Sequence, residues 1–242
     1  MNQELLSKAD LDLLAGYDTP TVCNVIELFN VRPRHKGYMD QRIQACFPEM
    51  PPMVGYATTA TFRAALPGAS SVYANLDKQV EAFAEVAEPR VVVFQDLDEP
   101  SAAATFGEIM CTTYKTFGAC GLVTSGTGRD LVQVRVLNFP VFTNGSICAH
   151  GYCTIPAINI SVTVGGLVIR PGDLLHGDCN GVTTIPLEIA SEAAQACAEF
   201  SAAEAVVLNY LKSGAATPSG LAQAQAESKA MTEKLRQRLA RR

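Results

Sequence analysis

The chain has 242 residues, 48% hydrophobic and 18% charged, with a formal net charge of −5 and a pI near 5.3. That content supports one large domain, or a domain with appendages, and excludes a disordered chain. The only basic cluster lies at 234–242 and no apolar run approaches the roughly 18 residues of a membrane span, so neither a general nucleic-acid partner nor a membrane partner is expected.

Residues 1–8 lack the basic-then-apolar order of a secretion signal. The eight cysteines include no CxxC pair, and they read as reduced, mostly small core residues of a cytoplasmic protein. With three scattered histidines, a zinc site is not expected.

In chain order, 3–30 reads as two helices, with Thr19 as cap and Pro20 at the first helical position of the second. Residues 55–62 are β-branched and aromatic and predict a strand. Helical periodicity over 72–87 ends before Pro89. The apolar run 91–96 predicts a buried strand that ends on a carboxylate, Asp96. A helix opens near Gly107 and Glu108 and runs to about 117. A second buried strand, 121–124, leads into Ser125-Gly126-Thr127-Gly128-Arg129-Asp130. Leu131, Val134 and Leu137 then keep helical spacing up to 138–140.

After Pro140 the pattern turns to short strands at 141–142, 157–164, 167–169 and 182–185. They are punctuated by Asn144-Gly145, Gly165-Gly166, Pro171-Gly172 and Asn180-Gly181. Residues 187–212 form an Ala- and Glu-rich helix, and a loop at 213–220 precedes a last polar helix from about 221. The expected organisation is one domain over 1–212, a layered α/β core with helical ends, then a linker and helix over 213–242.

Arg129 and Asp130 carry the most chemistry. Asp130 can cap its own helix, with Gln133 completing a D-x-x-Q capping box. The same pair, behind a glycine turn at a strand's carboxyl end, suits a ligand. Arginine grips a carboxylate bidentately, and aspartate holds a hard divalent cation. One ligand class needs both, a small 2-oxo acid. At Gly107, Glu108, Ile109 and Met110 a helix start offers N–H groups to an anion. His176 and Asp178, two apart in a hairpin, share a face. His150 sits in a Cys-rich loop.

Taken in order, Gly107, then 21 residues, then Arg129-Asp130, then Pro140-Val141-Phe142, then 164–173, then Asp178-Cys179-Asn180-Gly181-Val182 and Pro186 resemble the RraA-like family. The resemblance covers roughly 20–190, with 54–59 similar to the family's first core strand. That family includes the class II 4-hydroxy-4-methyl-2-oxoglutarate/4-carboxy-4-hydroxy-2-oxoadipate aldolases and the regulator of ribonuclease E activity A. The resemblance implies a swivelling β/β/α sandwich with added N- and C-terminal helices, assembled as a homotrimer or hexamer with interface sites. It implies that Arg129 binds pyruvate, that Asp130 anchors Mg²⁺ or Mn²⁺ largely through water, and that the N–H groups of Ile109 and Met110 receive the substrate carboxylate.

The chain departs from the family at two places. Ser125 stands where the family has aspartate, and Gln133 where the aldolases have an acid. His150, His176 and Asp178 are candidates to replace the lost acids as proton carriers. The expected function is a divalent-metal-dependent lyase that cleaves a small 2-oxo acid by retro-aldol or oxaloacetate-type decarboxylation. The alternatives are a protein-binding regulator like the ribonuclease E inhibitor, and a non-catalytic relative that keeps the Arg-Asp pair for capping.

Overall fold

Val91, Val92, Val93 and Phe94 are apolar at four consecutive positions, which suits a strand covered on both faces. The computed structural model, which describes residues 5–67 and 75–240, places them at the centre of a seven-stranded sheet. The first elements are α1 (Lys8–Leu14), α2 (Thr19–Phe29), β1 (Gln44–Ala45), β2 (Met53–Phe62), α3 (Leu76–Glu81) and β3 (Arg90–Asp96). Next come β4 (Ala104–Phe106), α4 (Glu108–Thr116), β5 (Ala119–Thr124), β6 (Thr127–Gly128) and α5 (Leu131–Val136). The last are β7 (Val141–Thr143), β8 (Val162–Val164), β9 (Leu167–Ile169), β10 (Leu174–Asp178), β11 (Gly181–Ile185), α6 (Ala190–Lys212) and α7 (Pro218–Leu239).

The chain forms two compact units, one of residues 5–36 with 187–240 and one of 37–186. In the helical unit α1, α2 and α7 all pack on α6. The buried face of α6 is mostly small, with Ala193, Ala194, Ala196, Cys197 and Ala203, and small side chains let helix backbones approach closely. The loop before α7 lies inside this unit.

In the sheet unit the strand order is β1-β7-β5-β3-β2-β10-β11. β2, β3, β5 and β7 are parallel, and β1 and β10 join antiparallel. Alternation along the strands splits the core. Ala60, Phe62, Val92, Phe94 and Leu122 face Cys111 and Tyr114 of α4 and Val134 of α5. Ala57, Val91, Val93, Val123 and Leu175 face Val162, Val164 and Ile169 of the β8–β9 hairpin. Hairpin, sheet and helices make the three layers of a β/β/α sandwich. The four parallel strands end on one side, at Phe62, Asp96, Thr124 and Thr143, where α/β sheets bind ligands.

Four expectations need correction. The cap of α2 is Asp18, whose Oδ1 accepts the Thr21 N–H at 2.8 Å, so Thr19 is the first helical residue. Of the helix expected over 72–87, residues 72–74 lie outside the described residues, as do 3 and 4 of the first helix; the rest is α3 followed by a 3₁₀ turn, Ala82–Glu85. The strand expected over 157–164 shrinks to β8, because Asn159 adopts φ 50° and turns the chain after one bridge between Ile158 and Ala60. The last helix opens earlier, at Pro218, with the Thr217 side chain accepting from Gly220 N–H.

Candidate active site

The loop after β5 is built by short polar bonds. Thr124 Oγ1 accepts the Gly126 N–H at 3.0 Å, and Thr143 Oγ1 donates to Gly126 O at 2.7 Å. β6 then pairs parallel to β4, and the Arg129 N–H donates to Phe106 O at 3.1 Å. These bonds bring Arg129 and Asp130 against the first residues of α4.

Asp130 precedes α5 in the left-handed conformation, φ 54° and ψ 35°, which aspartate tolerates better than most residues. Its side chain makes no cap on α5, so the expected capping box with Gln133 does not form. Instead Asp130 Oδ2 accepts the Glu108 N–H of α4 at 3.1 Å, across 22 positions of sequence. The carboxylate caps a neighbouring helix, where charge and dipole agree. Arg129 Nε lies 3.7 Å from the same oxygen, and both side chains remain about one-third exposed. Gly107 is required beneath them, because a Cβ there would stand 2.6 Å from Asp130 Oδ2 and 3.2 Å from Arg129 Nε.

The first turn of α4 has three N–H groups without helical partners, since the Cys111 N–H is the first to close, on Gly107 O. Asp130 takes that of Glu108. Those of Ile109 and Met110 remain for a ligand, with the Arg129 guanidinium beside them. Two N–H donors, a helix dipole and a guanidinium are the groups that suit a carboxylate. Ala104, Phe106, Gly107, Ile109, Met110, Arg129, Asp130, His150 and Cys153 line one cleft, which encloses only about 20 Å³. A larger hollow of about 540 Å³ in the helical unit is lined by Asp10, Glu188 and Glu192 and, among the described residues, by no cation, so it does not suit an anionic ligand.

The structure brings Arg129, Asp130, Gly107, Ile109, Met110 and His150 together, with Glu108 contributing its backbone N–H. It does not bring His176 or Asp178 to them. Both are buried on β10, where His176 lies across from Val54 and Thr183. Asp178 holds a turn, its Oδ1 accepting the Asn180 N–H at 2.8 Å. Sequence reasoning missed Cys153 as a wall of the cleft, since nothing local marks it.

Asp96 closes β3 near the loop. Its N–H donates to Ser125 Oγ at 2.9 Å, and its Oδ1 accepts the Asp98 N–H at 3.0 Å, while among the described residues Oδ2 is buried without a partner. Burial pushes this carboxyl above its usual range, helped by the charges of Asp98 and Glu99 and opposed by hydrogen bonds from Asp98 and Ser101. Burial also pushes the Cys153 thiol up.

A divalent cation is tested by the donors present. Among the described residues Asp130 Oδ1 accepts no hydrogen bond and its side chain is about one-third exposed, but no three His, Cys, Asp or Glu side chains converge. That set fits a largely hydrated ion such as Mg²⁺, which keeps several waters and takes one or two carboxylates, and does not fit a stripped one.

The model of the RraA-like family, described as Aldolase/RraA, matches residues 19–184. A protein of Halalkalibacterium halodurans named "Putative 4-hydroxy-4-methyl-2-oxoglutarate aldolase" is 40% identical over 101 residues, 41% of this chain and 48% of that protein. The chain thus spans about half the length of that curated relative. An uncharacterized protein from Pseudomonas syringae pv. tomato superposes with a TM-score of 0.72 at 21% identity, covering 93% of this chain and 97% of that one. Streptomyces coelicolor RraAS2, titled an unusual member of the RNase ES inhibitor RraA protein family, gives a TM-score of 0.61 at 23% identity over 80% of this chain and 92% of its own. The two structures share the fold.

Two outcomes are expected from this geometry. Asp130→Asn keeps an acceptor for the Glu108 N–H and should stay within about 0.5 kcal/mol of wild type in urea denaturation. Asp130→Ala should lose about 1–2 kcal/mol, from the cap and the left-handed backbone, and equal losses in both variants would contradict the cap.

Asp96 should make stability depend on pH. Between its ordinary value of 3.8 and its raised value, the native state keeps a proton that the unfolded chain has released, so stability falls as pH rises through that window. Asp96→Asn should therefore gain on wild type between acidic and neutral pH. A constant difference between the two proteins would show that the carboxyl titrates normally.

Proposed function

Because the chain belongs to the RraA-like family, we propose that it is a lyase that cleaves a carbon–carbon bond of a small 2-oxo acid, by retro-aldol cleavage or β-decarboxylation. The observation that carries this reading is the convergence of the Arg129 guanidinium, the Asp130 carboxylate and the N–H groups of Ile109 and Met110 in one cleft. The name of the relative that is 40% identical over 101 residues supports the substrate class.

In this reading Arg129 clamps the substrate carboxylate with its planar fork, and the two N–H groups fix the orientation of the same carboxylate. Asp130 would hold Mg²⁺ or Mn²⁺. When bound, the cation supplies Lewis-acid polarisation of the 2-oxo group. Gly107 leaves room for the Asp130 carboxylate, and the Glu108 N–H holds that carboxylate in place. The regulator reading rests on the fold alone, and a pull-down with the ribonuclease tests it.

The lyase reading is tested by metal-dependent release of pyruvate from a panel of 4-hydroxy-2-oxo acids and oxaloacetate. Wild type should release pyruvate. Arg129→Lys should lose about 10²-fold or more in kcat/KM while melting normally, since a point charge cannot reproduce the fork. No release by wild type from any member of the panel would sink the reading.

We propose assembly as a trimer or hexamer with sites at subunit interfaces. The cleft of one chain is too small to enclose a 2-oxo acid, and apolar side chains stand exposed around it. Val132 and Val136 of α5 are 75% and 82% exposed, and Ile109 of α4 is 55% exposed. Light scattering should give three or six times the 25.8 kDa chain mass, and a monomer would overturn the interface site.

A further inference from the structure

His150 occupies a loop that is laced to the loop carrying Arg129. The Asn144 N–H donates to Gly126 O at 2.9 Å, and the Ile147 N–H to Gly128 O at 3.1 Å. The Gly128 N–H returns a bond to Gly145 O at 3.1 Å, and the Ala104 N–H beside the cleft donates to Ala149 O at 2.9 Å. Beyond His150, the Cys153 thiol donates to His150 O. Gly151 has φ +52°, and a Cβ on it would meet Ala64 O at 2.8 Å, so the turn at His150 needs glycine. This lacing fixes the backbone that carries His150, whose exposed side chain lines the cleft beside Arg129 and Asp130.

The imidazole is oriented as well. Its Nδ1 lies 3.0 Å from Gly151 O, which only accepts, so Nδ1 carries the hydrogen and the neutral ring keeps its lone pair on Nε2. The other ionisable groups of the cleft are committed. Asp130 Oδ2 holds the Glu108 N–H, and the buried Cys153 thiol spends its hydrogen on His150 O. Imidazole is the side chain whose ordinary titration spans neutral pH, which suits proton transfer.

We propose that His150 is a catalytic residue of this cleft, the group that delivers a proton from Nε2 to C3 of the pyruvate enolate. The inference rests on the lyase reading. As the substrate's C3–C4 bond breaks, its electron pair enters the enolate. The C3–H bond forms with that pair while the Nε2–H bond breaks, and the ring returns to the tautomer that Gly151 O selects. Nε2 takes up that proton beforehand, from the substrate's C4 hydroxyl as its oxygen becomes the new carbonyl in aldol cleavage, or from water in decarboxylation, where the hydroxide left joins the released carbon dioxide as bicarbonate. No oxidant or reductant is needed. Run backwards, the same step removes a proton from C3 of bound pyruvate.

The test is exchange of the pyruvate methyl protons in D₂O, followed by proton NMR with Mg²⁺ or Mn²⁺ supplied, on wild type, His150→Gln, His150→Ala and Arg129→Lys. Oxalate binding is measured in parallel by calorimetry. His150→Gln should exchange about 10²-fold more slowly or worse, yet bind oxalate within about twofold of wild type. Free imidazole should restore part of the exchange to His150→Ala. Exchange within about threefold of wild type in both histidine variants, with Arg129→Lys inactive, would overturn the role of His150 and leave the lyase reading standing. A wild type that neither exchanges pyruvate protons nor binds oxalate would overturn both.

Discussion

The bond from the Glu108 N–H to Asp130 Oδ2 organises the candidate site. It joins a helix that packs on one face of the sheet to a loop that leaves the strand ends. With it, Arg129 is turned toward the first turn of α4, and the N–H groups of Ile109 and Met110 are left without competition. In the proposed function one carboxylate would have two tasks that do not conflict. Oδ2 settles the helix terminus and Oδ1 remains open. The arrangement requires glycine at 107, because any side chain there would occupy the space of the carboxylate.

The sheet makes this bond possible. Four parallel strands buried on both faces end at the same level, and a rigid platform follows from their packing. Threonines at the strand ends, Thr124 and Thr143, convert the platform into loop geometry by binding Gly126. Asp96, at the end of β3, is tied to the same loop through Ser125. The hydroxyl of Ser125 accepts a backbone N–H there. Ser125 is thereby part of the scaffold that ties β3 to this loop.

The candidate site sits at an open margin. The cleft of one chain encloses little volume, and exposed valines of α5 stand beside it. The site's polar parts nonetheless come from one chain, because β4, β6, the start of α4 and the His150 loop are stitched by backbone bonds. A second chain would supply cover, and the polar anchors need no contribution from it.

The sequence by itself determined the local elements and the residue types. Val91–Phe94 reads as a strand covered on both faces because four apolar residues in a row have no polar side to offer. Gly107-Glu108 reads as a helix start, and Arg129-Asp130 as a cation and an anion at a strand end, because these signals lie within a few residues. What the tertiary structure decided lies across long separations. Asp130 looks like the cap of its own helix, and its left-handed backbone turns the side chain to a helix 22 positions back. His150 and His176 look alike in the sequence. Lacing of one loop to another puts His150 in the cleft, whereas strand pairing buries His176 between Val54 and Thr183 on β10. Periodicity reports which face of an element is buried. Which distant element lies against that face is set by packing and by the pairing of backbone polar groups, and no local pattern encodes it.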